Sequence, residues 1–117
     1  ATEALTSQMA ALVKAFSGEY GRIVAQIIAE GQADPAVLAS YRDRFLSARR
    51  AAAKAILQQG IESGEFNPDI DLELAIDILY GAIYFRLLVR HLPLDRQFAS
   101  ELSQQALKVV EAIQKNP

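Results

Sequence analysis

The residues of this 117-residue chain best equipped for chemistry are one histidine, a run of arginines and a set of aromatic rings. His91 stands alone near the C-terminal end of a helical stretch, where a charged imidazole complements the helix dipole. It reads as a capping or surface side chain. Without a second histidine, neither a His-Glu-x-x-His zinc pair nor the Glu-x-x-His pattern of helical di-iron bundles is possible. The absence of cysteine excludes disulfides and thiolate metal sites. Asp69 and Asp71 form half of a calcium loop whose remaining positions are missing, so Asp71 is better read as a helix cap. No glycine-rich phosphate loop and no nucleophile elbow occurs. Catalysis, a metal and a cofactor are therefore not expected.

Two sets of charged or aromatic residues are left. Arg42, Arg44, Arg49, Arg50 and Lys54 are read as a solvated helix face with local pairing to Asp43. Their aromatic neighbours Tyr41 and Phe45 fall on the apolar side, and nothing around them resembles a single-strand-binding pattern. Arg86 and Arg90 share one side of a later helix, and each is expected to find an acid, a chain carbonyl or an acidic ligand, because unpaired burial is costly. Phe16, Tyr20, Tyr41, Phe45, Tyr80, Tyr84 and Phe85 all sit at core-compatible helical positions. Buried tyrosine hydroxyls need partners, and such rings also line adaptable pockets. Together with Met9, Val13 and Arg86 they form the candidate ligand pocket.

The elements that must position these groups are helical. Hydrophobic residues make up 51% of the chain, glycine and proline are few, and the formal net charge is −2. That balance argues against disorder and against free-standing nucleic-acid binding. No run of apolar residues approaches the ~18 needed to span a membrane, and a cytoplasmic, single-domain protein over residues 1–117 is expected. Apolar spacing of three and four predicts an all-α, five-helix bundle with helices at about 2–16, 18–31, 35–63, 71–91 and 95–114. Ser17, Asp34-Pro35, Asp71 and Asp95 are start signals. Gly64 is a left-handed stop, and Gly60 is expected to fray or bend the third helix. The third helix's apolar line is Leu38, Tyr41, Phe45, Ala48, Ala52 and Ile56, with Leu57 as a further member.

The fourth helix is apolar on two sides. At about 100° per residue, Leu72, Ile76, Leu79, Ile83 and Leu87 form one stripe. Leu74, Ile78, Gly81, Ala82, Phe85, Leu88 and Val89 form another roughly opposite it. A small domain has one core, so two stripes imply a second burial partner, a second copy of the chain. The fifth helix also has a wide apolar arc with small residues. The expected dimer interface is Leu74, Ile78, Gly81, Ala82, Phe85 and Val89 with Ala99, Leu102, Ala106, Val110 and Ile113. Glutamate at Ala82 or Ala106 is expected to separate the copies.

Four segments, in order, resemble the C-terminal domain of TetR-type bacterial transcriptional regulators. They are Arg49-Arg-Ala-Ala, then Ile61-Glu-Ser-Gly-Glu-Phe-Asn-Pro-Asp-Ile-Asp-Leu-Glu-Leu-Ala, then Leu79-Tyr-Gly-Ala-Ile-Tyr-Phe-Arg-Leu-Leu, and Leu92-Pro-Leu-Asp-Arg-Gln-Phe. The resemblance implies a regulatory domain that binds a hydrophobic or aromatic small molecule. It also implies a homodimer built from the last two helices as a four-helix bundle. The family's helix-turn-helix head is not among these residues, so operator DNA is expected to be met only through a separate N-terminal domain. A helical dimerisation or adaptor module with no ligand is the alternative.

Overall fold

The computed structural model describes residues 1–111. The chain forms α1 (Thr2–Phe16), α2 (Glu19–Ala33), α3 (Pro35–Tyr41), a π-helical turn (Arg42–Leu46), α4 (Ser47–Glu62), α5 (Leu72–Val89) and α6 (Arg96–Val110). Because the backbone stays right-handed helical through Tyr41, Arg42, Leu46 and Ser47, α3, the π turn and α4 are one continuous rod. The described residues therefore make five rods, and no strand occurs among them.

Three of the expected start signals operate as local chemistry requires. The Oδ1 atoms of Asp34, Asp71 and Asp95 accept from the amides of Ala36 (3.0 Å), Leu74 (3.1 Å) and Phe98 (2.9 Å). Each satisfies a donor that the first helical turn leaves free. Replacing Asp71 by Ala should cost about 1 kcal/mol of stability, read as a lower urea midpoint with unchanged slope. Ser17 behaves differently. Its hydroxyl donates to the Lys14 carbonyl at 2.8 Å, closing α1, and Gly18 precedes α2 without a side-chain cap.

The helix ends shift for identifiable reasons. α2 runs past Gly31 to Ala33, because only Asp34, held extended before Pro35, breaks it. α5 ends at Val89 rather than 91, with Arg90 in the left-handed region (φ 58°). His91 lies outside the helix with its ring 4.5 Å from that of Phe85. α6 closes at Val110, where Glu111 turns extended; residues 112–117, including Ile113, lie outside the described residues.

α1 is the central strut, touching α2, α4, α5 and α6. Its Leu5, Met9, Leu12, Val13 and Phe16 are all buried, as are Ile76, Leu79, Ile83 and Leu87 of α5. Gly64 takes the left-handed conformation (φ 82°) expected of a helix stop. The chain then turns back so that Phe66 packs, 1% exposed, against Gly60. Gly60 therefore makes room for a ring instead of bending the helix.

The π turn has the largest consequence. Ser47 donates both its amide and its hydroxyl (2.8 Å) to the Arg42 carbonyl, five residues back. One extra residue in a turn rotates everything after it by about 100°. The inward line on α4 becomes Ala53, Leu57 and Gly60, while Ala48 and Ala52 face solvent. Arg49 is carried inward with it.

Candidate functional site

All four tyrosines of the chain converge around Arg49. The Arg49 Nη2 donates to the Tyr20 hydroxyl at 3.1 Å. Its guanidinium carbon lies 5.2 Å from the centre of the Phe16 ring and 5.5 Å from that of Tyr20. Phe16 meets Tyr84 edge-on at 5.3 Å, and the Tyr84 and Tyr41 hydroxyls are hydrogen-bonded to each other. Tyr80 donates to the Arg49 carbonyl at 3.3 Å and accepts from Gln8 Nε2 at 2.7 Å. Burial, then the bond to Tyr84, holds the Tyr41 phenol far above its ordinary range. Burial likewise raises Tyr80, against the opposing effects of the Arg49 charge and the Gln8 bond. These phenols are neutral donors and acceptors.

Two hollows flank the cluster. An open groove of about 450 Å³ runs between α2, the π turn and α5, walled by Ile28, Leu38, Tyr41, Leu46, Tyr80, Tyr84, Gly81 and Leu88. Arg50 stands at its rim, bonded to Asp77 at 2.7 Å and Glu73 at 2.6 Å, with Lys54 3.6 Å from Glu73. Pairing of this basic cluster thus reaches across to α5 rather than locally to Asp43. A smaller, partly open hollow of about 170 Å³ lies on the α1 side, lined by Gln8, Ala11, Leu12, Ala15, Arg49 and Tyr80.

Of the expected pocket residues, Tyr20, Tyr41, Tyr80, Tyr84 and Phe16 are brought together. Met9 is sealed in the core at 0% exposure, and Val13 faces a separate hollow between α1 and the start of α6. Phe45 stacks on Tyr41 from outside (5.9 Å) and is largely exposed, because the π turn rotates it off the inner line. Phe85 and Arg86 do not belong to the pocket. Phe85 lies on the far side of α5, and Arg86 lies 4.0 Å over the Phe98 ring while donating to the Pro93 carbonyl at 2.8 Å. Arg49 and Gln8 were not expected there. The sequence assigns Arg49 to the solvated helix face with the other basic residues.

The second stripe of α5 has no cover within the chain. Leu74, Ile78, Phe85, Leu88 and Val89 are 45–57% exposed, Gly81 lies open among them and Ala82 is half-buried. The expected continuation on α6 is corrected. Ala99, Ala106 and Val110 are buried against α1 and α5, and the Ser103 hydroxyl between them bonds the Ala99 carbonyl at 2.9 Å. Their small side chains let α1 approach closely, so that side of α6 is core. On α6, Leu102 is half-buried and Val109 exposed.

The comparisons with known proteins return the same all-α fold. The fold matches the crystal structure of the TetR family transcription regulator SCO0332 with a TM-score of 0.85 and 31% identity, over 92% of this chain and 59% of that one. The family model of the tetracyclin repressor-like C-terminal domain matches residues 2–106, and the chain belongs to that family. It is also 34% identical over 101 residues to the uncharacterized HTH-type transcriptional regulator YdeS of Bacillus subtilis (strain 168). That match takes in 86% of this chain, which spans about half (51%) of the relative's length. Among the described residues, no helix is long and apolar enough to cross a membrane.

Proposed function

We propose that this chain is the ligand-sensing and homodimerisation domain of a TetR-type transcriptional repressor working in the cytoplasm. In this reading two copies pair through the open face of α5 and the Leu102/Val109 edge of α6. A hydrophobic or aromatic small molecule binds beside the tyrosine cluster. Operator DNA is met by a helix-turn-helix segment outside these residues, in keeping with the HTH-type description of the relative, which is about twice as long as the match.

The uncovered stripe carries the reading. Five large apolar side chains on one helix face make a contiguous patch of the kind that marks an interaction site, and Gly81 in its middle lets a facing helix come close. A ligand that prefers one arrangement of α1, α4 and α5 shifts the population toward it. Because α5 is shared between cluster and interface, that shift alters the angle between the copies, and with it the match to half-sites roughly 34–36 Å apart.

Sedimentation at micromolar concentration should give twice the 12.8 kDa chain mass; a monomer throughout would remove the interface. A thermal-shift screen of neutral aromatic compounds tests the sensing role. A ligand at 100-fold its dissociation constant should add about 2.7 kcal/mol of stability.

A further inference from the structure

We infer that the small molecule sensed by this domain is a monoanion, a single acidic group on one aromatic ring or a frame of similar size, and that Arg49 takes the acid. This rests on the sensing role proposed above and adds the charge, size and anchoring residue of the ligand.

The argument begins with an imbalance. Arg50 has two carboxylates and Lys54 shares one of them. Among the described residues Arg49, one position away and turned inward by the π turn, has none within 4 Å, and its buried Nη1 has no hydrogen-bond acceptor. Its one side-chain bond is to the neutral Tyr20 hydroxyl. The other groups around it are the Phe16 ring and phenols kept neutral by burial. An unsatisfied guanidinium in such surroundings carries a desolvation cost that an oxyanion would relieve, and a guanidinium fork suits a carboxylate better than any other common group.

The cavity beside it has the complementary shape. Gln8, Arg49 and Tyr80 supply polar atoms at one side, and Ala11, Leu12 and Ala15 supply apolar wall at the other. The Gln8 amide and Tyr80 hydroxyl, which now bond each other and the Arg49 carbonyl, are able to turn as donors to the same acid. An enclosed apolar cavity of about 150 Å³ holds a benzene ring; this hollow of about 170 Å³ is of that size and opens to solvent beside Ala11. A single unpaired guanidinium calls for a single negative charge.

The test is calorimetric titration and thermal shift with benzoate and phenylacetate against benzamide and phenylacetamide, at ionic strength matched with sodium chloride. The acids should bind about tenfold or more tighter than their amides, the gain of a charge-assisted bond. Arg49→Met should weaken the acids about thirtyfold or more while leaving the amides unchanged, and Arg49→Lys should fall between. Equal binding of acid and amide, or acid binding that survives Arg49→Met, overturns the inference. Should Arg49→Met fail to fold, the acid–amide comparison on the unaltered chain decides alone. If neutral aromatics stabilise the protein and the acids do not, the anion is wrong and the sensing role stands. If neither class binds, both fall.

Discussion

Phe85→Glu is expected to convert the proposed dimer into a folded monomer. Phe85 is the one aromatic ring of the open stripe of α5, 57% exposed within its own chain, so the substitution removes nothing from the core. In a two-fold pair the residue occurs twice. An aromatic anchor at an interface centre is worth about 2 kcal/mol or more per occurrence, and a buried unpaired carboxylate adds to the penalty. About 4 kcal/mol in total corresponds to roughly a thousandfold weaker association. Sedimentation should show the single-chain mass, and the far-ultraviolet circular dichroism should be unchanged. Ala106→Glu is the contrasting case. At 3% exposure against α1 and α5, the new carboxylate would be buried in the chain's own core, so this variant should lose its fold rather than its partner. A monomeric, fully helical Ala106→Glu, or a dimeric Phe85→Glu, would mean that the copies meet somewhere else.

Gly21→Ala should be the most destabilising single methyl in the chain. A Cβ at Gly21 would coincide with the carbonyl of Phe16, which is backbone and cannot rotate away. The α1–α2 turn would have to open, and Phe16 would lose its contacts with Tyr20, Tyr84 and Arg49. Overpacking of this kind costs about 3 kcal/mol or more, a fall of about 10 °C or more in Tm for a domain of this size. Gly18→Ala is the control, since nothing lies within 4 Å of its Cβ, and it should cost only about 1 kcal/mol, the loss from a poorer N-cap. Because the strain passes through Phe16, residual folded Gly21→Ala should also bind aromatic ligands more weakly. A change in Tm within the range of the control would show that the turn relaxes freely.

Much of this architecture is legible in the residues themselves. Asp34, Asp71 and Asp95 start helices because a short carboxylate reaches free amides two or three positions on, and that chemistry is local. The two stripes of α5 follow from helical period alone. The structure buries Leu72's side in the core and leaves Leu74's side open, the assignment favoured by Gly81 and Ala82 on the latter. What could not be read are the features that depend on distant contacts. Ala99, Ala106 and Val110 are compatible with either a partner or a core, and only the position of α1 assigns them to the core. The π turn has no strong mark in Arg42-Asp-Arg-Phe-Leu. A single inserted residue is paid for by packing over the whole length of α4, and it exchanges Ala48 for Arg49 on the inner face. Composition, caps and period thus determined an all-helical domain with one surplus apolar face. Whether that rod faces the tyrosines with alanine or with an unpaired cation was decided by the tertiary structure, because helix phase is cumulative and one π turn resets it for every residue that follows.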